Sequence, residues 1–140
     1  MNISLTNNPS EADDQIISAG LNRYNRHFSA GTFEPLSVYS RTKEDVIVGG
    51  LIGVSYGRWL HVSEFWVDEA FRGKSIGTEI LMAAEHEAIR RECIGVMLDT
   101  YCFQSPDFYL KRGYEEFGVI SGYAGKYSRH YLQKALASTV

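Results

Sequence analysis

The sequence predicts an α/β fold: one domain spanning residues 1–140, in which a central mixed, largely antiparallel sheet is flanked by helices. Three observations lead there. Strand-like runs joined by short polar connections read as antiparallel hairpins. A long amphipathic stretch follows them, with Ile76, Ile80, Leu81, Ala84 and Ala88 on one helical face. The short apolar run Gly95 to Thr100, bounded by turn signals, then fits a buried strand in a central parallel position.

Taken in order, Ile3 to Thr6 reads as a short edge strand. Ser10 caps a first helix expected from Glu11 to about His27, with acidic residues in its first turn, where the helix dipole favours them. Ile16, Ile17, Leu21, Tyr24 and Phe28 keep helical spacing, and Ser29-Ala30-Gly31-Thr32 breaks it. Strands are expected at Leu36 to Ser40, Val46 to Tyr56 and Trp59 to Val67. Gly49, Gly50, Gly53 and Gly57 suggest bulges or close approach within them. After the central helix and the buried strand, Ser105 as N-cap and Pro106 at the first helical position start a short helix that Arg112-Gly113 ends. Tyr114 to Ser121 and Arg129 to Leu136 close the sheet, the latter alternating as an edge strand would, which makes a homodimer through exposed terminal strands an option.

A 140-residue chain that is 44% apolar has enough material for a core, and its net charge of −3 argues against a general nucleic-acid binder. No leader and no membrane-spanning run is visible, so a cytoplasmic location is expected. The two cysteines, Cys93 and Cys102, form no metal-spaced pair, and His27, His61, His86 and His130 are scattered, so no metal is expected.

The most informative segment is Phe65-Trp66-Val67-Asp68-Glu69-Ala70-Phe71-Arg72-Gly73-Lys74-Ser75-Ile76-Gly77-Thr78: a buried strand, a basic glycine-containing loop and a helix start. Unpaired N–H groups and the dipole at a helix N-terminus bind phosphate, and Arg72 and Lys74 add charge, so the loop suits a pyrophosphate; taken alone, it equally fits a solvated basic loop that caps an ordinary helix. It is not a nucleotide-triphosphatase loop, because Asp68 stands where that motif needs its first glycine. Nor is there a dinucleotide-binding glycine fingerprint.

Arg72, Ile76 and Gly77 sit in register with the Gln/Arg-x-x-Gly-x-Gly/Ala signature that the GCN5-related N-acetyltransferase (GNAT) superfamily carries between its fourth strand and the following helix. Phe108-Tyr109-Leu110-Lys111-Arg112-Gly113-Tyr114 is similar to the family's second segment, Phe-Tyr-x-Lys-x-Gly-Phe/Tyr. From about Leu36 onward the chain resembles that superfamily. Two departures stand out: Ser75 replaces the usual signature glycine, and Cys102 stands where many members carry an asparagine that contacts pantetheine. If position 75 is left-handed, the serine costs about 1–2 kcal/mol.

The resemblance implies an acetyl-CoA-dependent N-acetyltransferase acting on a small-molecule amine by direct attack in a ternary complex. It implies a cofactor site made of Phe65, Trp66, Val67, Arg72, Gly73, Lys74, Ser75, Ile76, Gly77, Thr78 and Ser105. The diphosphate would lie on the amides from Gly73 to Thr78, and the thioester in the gap between the fourth and fifth strands, with the Val67 N–H polarising its carbonyl. Tyr109 is implied to meet the leaving sulfur. Glu64 is the first choice of general base, acting directly or through water; strict alternation puts it on the face opposite His61, its rival, unless a bulge intervenes. Acceptor-pocket candidates are Tyr24, His27, Phe28, Phe33, Glu34, Tyr123 and Tyr127, with Glu34 and Glu64 favouring a cationic molecule. A non-catalytic acyl-CoA sensor or interaction module is the alternative, motivated by Ser75 and Cys102. An acetylating toxin acting on aminoacyl-tRNA is counted against by the pI near 5.8.

Overall fold

A computed structural model describes residues 1–28 and 31–137. The chain divides into two compact units, Met1–Ala30 and Gly31–Val140. The first unit holds one helix, α1 (Glu11–Asn25), capped as expected by the Ser10 hydroxyl, which accepts from the Asp13 N–H at 3.3 Å. It stops two residues before His27; Ser29 and Ala30, expected to break it, lie outside the described residues. Residues 3–6 form no strand. Ile3 and Leu5 are fully exposed, and so short an alternation gains nothing without a neighbour to pair its backbone.

The second unit contains β1 (Glu34–Arg41), β2 (Ile47–Tyr56), β3 (Trp59–Val67), α2 (Ile76–Arg90), β4 (Gly95–Tyr101), α3 (Pro106–Leu110), β5 (Glu115–Tyr123) and β6 (Tyr127–Ala135). Their sheet order is β1-β2-β3-β4-β6-β5, with every pair antiparallel except β3 with β4. The expected central parallel strand is therefore present. The strand expected at an edge is not at one: β6 lies between β4 and β5, and the edges are β1 and β5. Alternation along β6 reports its two faces and is silent about its flanks.

Local sequence explains the hairpin that shapes the unit. Gly57 and Arg58 both take positive φ, 60° and 67°, the two-residue turn whose twist matches antiparallel strands. The Arg58 side chain donates to the Glu92 carbonyl and so helps to hold a non-glycine residue there. Within the hairpin, Ile52 pairs with Glu64 but Gly53 pairs with Val62, so Ser63 is a bulge. Gly53 is required at that point, since a Cβ would lie 2.6 Å from the His61 carbonyl oxygen.

The expected apolar stripe of α2 is buried against the sheet: Ile80, Leu81, Ala84 and Ala88 pack with Leu51, Leu60, Val62, Val96, Leu98 and Leu132. Each fully buried leucine contributes roughly 1.5–3 kcal/mol. Tyr109 of α3 joins the same cluster, so both helices lie on one face of the sheet, the inner face.

Glu85 interrupts the stripe, and its carboxylate accepts from the Tyr114 phenol at 2.7 Å and from Lys134 at 3.1 Å. Burial and the adjacent carboxylate push the Tyr114 phenol far above its ordinary range. This trio ties α2 to β6 and to the segment after α3. Replacing Glu85 with alanine leaves a buried hydroxyl and a half-buried ammonium without an acceptor, so thermal unfolding should show a loss of about 2–4 kcal/mol, with Glu85→Gln losing less. Because a raised phenol stabilises only while it stays protonated, the contribution of Tyr114 is present below about pH 10 and should be lost as the solution is made more alkaline.

Candidate active site

The parallel ladder between β3 and β4 consists of three residue pairs, Trp59 with Gly95, Leu60 with Val96 and His61 with Met97. Past them the strands splay. A cleft of about 1120 Å³ occupies the gap, lined on the inner face by Val67, Ile76, Gly77, Thr78, Leu98, Thr100, Ser105, Phe108, Tyr109 and Arg112, and on the outer face by Tyr39, Ile52, Glu64, Trp66 and Asp99. It thus passes through the sheet.

Backbone geometry supplies donors to this gap. The Asp68 N–H donates to the Val48 carbonyl at 2.8 Å, which fixes the alternation of the β2–β3 ladder. The residues opposite Gly49 and Leu51, namely Val67 and Phe65, are then non-hydrogen-bonded positions, and their N–H groups point away from β2 into the splay. The Val67 carbonyl is occupied by the Arg72 Nε at 3.1 Å, which anchors the basic loop to the strand. Sequence reasoning named the Val67 amide; the structure adds that of Phe65.

At the inner end, the chain between Arg72 and α2 turns through positive φ at Gly73 (77°) and Ser75 (66°). Every N–H group from Gly73 to Thr78 donates to no described residue. Amides left free at a helix N-terminus, joined by the Arg72 charge, fit a diphosphate. The turn is packed from below: a Cβ on Gly77 would meet the Phe108 ring at 3.4 Å and Val67 at 3.7 Å, so only glycine lets α2 start this close to β3 and α3. Lys74 does not line the cleft; its ammonium lies over the Phe71 ring, 5.3 Å from the centroid. Ser75 is left-handed and its side chain makes no cap hydrogen bond, so the left-handed cost weighed for this position applies.

Tyr109 is packed edge-on against Phe65, Phe108 and Tyr114 and is only 9% exposed, yet it is among the residues that line the cleft, and its hydroxyl donates to no described residue. Burial pushes this phenol up to about 12, so it stays protonated throughout the neutral range. Ser105 lines the cleft as the cap residue of α3, but in a left-handed conformation (φ 65°) and without the expected side-chain cap. The bulge at Ser63 resets the alternation of β3. Glu64 and His61, opposite Ile52 and Val54, therefore share the outer face, contrary to strict alternation. Only Glu64 of the two lines the cleft.

The remaining candidates disperse. Phe33 stacks on Tyr56 at 3.9 Å, and the Glu34 carboxylate lies 3.8 Å from Arg91; neither lines the cleft. Tyr127 meets the edge of Phe103, a lining residue, and Tyr123 meets Tyr101, but neither tyrosine lines the cleft itself. Tyr24, His27 and Phe28 belong to the N-terminal unit. Cys102 is turned toward β6, where the Ser128 N–H donates to its sulfur and holds the thiol below its ordinary range. Among the described residues no group of three or more His, Cys, Asp or Glu side chains could hold a metal ion, and no helix is long and apolar enough to cross a membrane.

A cleft that joins free amides suited to phosphate with a gap lined by unpaired peptide donors is the arrangement of a group transferase that draws on a phosphorylated carrier. The family model described as Acetyltransferase (GNAT) family matches residues 8–114. The chain belongs to that family: it is an N-acetyltransferase, with acetyl-CoA as its acetyl donor. It is similar to Blasticidin-S acetyltransferase of Streptomyces morookaense, 36% identical over 109 residues, or 76% of this chain and 79% of that protein. An acetyltransferase structure from Bacillus cereus ATCC 14579 matches with a TM-score of 0.86 at 30% identity, covering 95% of this chain and 98% of that one. The fold is shared, at 17% identity and a TM-score of 0.65, by a Bacillus anthracis protein described as a streptothricin acetyltransferase and solved in complex with acetyl coenzyme A; the match covers 74% of this chain and 63% of that one.

The strain at Ser75 yields a direct test. Ser75→Gly removes a Cβ from a left-handed residue and should stabilise the free protein by about 1 kcal/mol, part of the gain being offset by the freer unfolded chain. Chemical denaturation of the two proteins measures it.

Proposed function

We propose that the protein transfers acetyl to a primary amine of a small molecule by direct attack, with donor and acceptor entering the same cleft from opposite faces of the sheet. One observation carries this reading: the cleft passes through the splay between β3 and β4, with phosphate-binding amides at its inner end and Glu64 at its outer mouth.

Amides from Gly73 to Thr78 hold the diphosphate, and the Phe65 and Val67 N–H groups face the pantetheine arm and the thioester carbonyl. Bound there, acetyl-CoA supplies an activated acetyl group. Val67 stabilises the negative charge that develops on the carbonyl oxygen, the role of an oxyanion donor that needs no particular side chain. An amine acceptor arrives mainly as ammonium, with a pKa of about 10.4 if lysine-like, and Glu64 takes that proton directly or through a water; the second proton, lost from nitrogen as the C–N bond forms and the C–S bond breaks, passes to solvent.

Tyr109 meets the departing sulfur. With its phenol near 12 and a thiol near 8.5, taking cysteine as the guide, full proton transfer would be uphill by about 5 kcal/mol. Tyr109 therefore acts as a hydrogen-bond donor to the sulfur as charge builds, and the thiolate is protonated from solvent. Glu64 favours a cationic acceptor. Glu34, engaged with Arg91 away from the cleft, no longer supports that preference. The similarity to a blasticidin S acetyltransferase makes blasticidin S the first acceptor to assay.

Tyr109→Phe should lower kcat about a hundredfold while coenzyme A affinity, read by calorimetry, stays within twofold; an unchanged kcat would remove Tyr109 from the chemistry. Glu64→Gln should be slow at neutral pH and approach the parent rate above the acceptor's pKa, where the amine arrives already neutral and its second proton can leave to solvent. A deficit independent of pH would mean that Glu64 takes no proton.

A further inference from the structure

Arg112, one residue before the glycine that follows α3, serves in the sequence only to end that helix. In the structure its guanidinium reaches the first turn of α2. Nε and Nη2 both donate to the Thr78 hydroxyl oxygen, at 3.0 and 2.6 Å, and Nη1 donates to the Phe108 carbonyl at 2.6 Å. The same group lies over the Phe108 ring, with Cζ 3.8 Å from its centroid, and Arg112 is among the residues that line the cleft.

Two consequences follow from elementary chemistry. A hydroxyl oxygen that accepts twice from a guanidinium has its lone pairs engaged, so its own proton is left to donate. No described residue accepts from Thr78, whose N–H is free as well. Further, a cation at the N-terminus of α2 opposes the dipole of that helix, and an anion placed beside both would be favoured by each. A free hydroxyl proton, a free amide and a cation on the wrong end of a helix converge on one missing partner, a phosphoryl group.

We propose that Arg112 is a diphosphate-binding residue of the acetyl-CoA site, contacting a phosphoryl oxygen and turning the Thr78 hydroxyl into a second donor to the same group. The proposal rests on the reading that the diphosphate occupies the amides from Gly73 to Thr78. It assigns to α3 a part in cofactor recognition besides carrying Tyr109, and to the fork of an arginine a geometry that lysine cannot reproduce.

Arg112→Met keeps the length and packing of the side chain and removes its charge and donors. Calorimetry with coenzyme A and with 3′-dephospho-coenzyme A should show both bound at least tenfold more weakly by this variant, and Arg112→Lys should recover only part of the loss. The KM for acetyl-CoA should rise to match, with kcat at saturation within threefold, and the melting temperature of the free variant should fall by no more than a few degrees, the cost of the lost contacts to Thr78 and Phe108. Unchanged affinity would overturn the proposal. So would a loss confined to coenzyme A, which would move the contact to the 3′-phosphate, or a large drop in melting temperature, which would make Arg112 a structural brace. Failure of the parent protein to bind coenzyme A at all would instead overturn the placement of the diphosphate.

Discussion

Parallel pairing between β3 and β4 ends at His61 and Met97, and the site depends on what that ending leaves unpaired. In a continuous sheet the N–H groups of Phe65 and Val67 would be spent on a neighbouring strand. Here they face a gap, beside a buried phenol and below a row of helix-end amides. Buried or half-buried backbone donors without partners cost free energy, so the fold holds in reserve an interaction that an extended, carbonyl-bearing ligand can complete. The bulge at Ser63 belongs to the same arrangement, because it turns Glu64 to the outer mouth while Phe65 and Val67 continue to pack on the core.

The turn into α2 shows a comparable exchange of stability for readiness. Left-handed backbone at Ser75 costs free energy, the Arg112 charge opposes the dipole of α2, and the amides from Gly73 to Thr78 have no partner among the described residues. They converge on one turn, where a bound anion would satisfy the amides and the cation together. The cost is carried by the surrounding packing: the close seat of Gly77 on Phe108 and Val67, the anchoring of Arg72 on the Val67 carbonyl, and the buried trio of Glu85, Tyr114 and Lys134 further along α2.

Much of this was legible in the residues. The stripe from Ile76 to Ala88 gave α2 its buried face, the buried run at Gly95 gave the central strand, and the loop from Arg72 to Gly77 pointed to phosphate, because each depends on local periodicity or on local backbone chemistry. What escaped depends on register or on distant partners. The bulge at Ser63 exists only relative to β2, so the shared face of His61 and Glu64 could not be read from β3 alone. Glu85 looks like a fault in an apolar stripe until Tyr114 and Lys134 are placed beside it. Arg112 and Thr78 are far apart in sequence, and only the packing of α3 against the start of α2 brings them together. Alternation in β6 could not reveal that both its flanks are paired, and the short N-terminal alternation at Ile3 had no neighbour to make it a strand.

Amide hydrogen exchange, followed residue by residue with and without coenzyme A, addresses the role of the unpaired backbone most directly. The account predicts that saturating coenzyme A slows exchange at Phe65 and Val67 and along Gly73 to Thr78, while β1 and the far end of the β5–β6 hairpin are unaffected. Protection confined to other segments, with Phe65 and Val67 exchanging as fast as in the free protein, would contradict it.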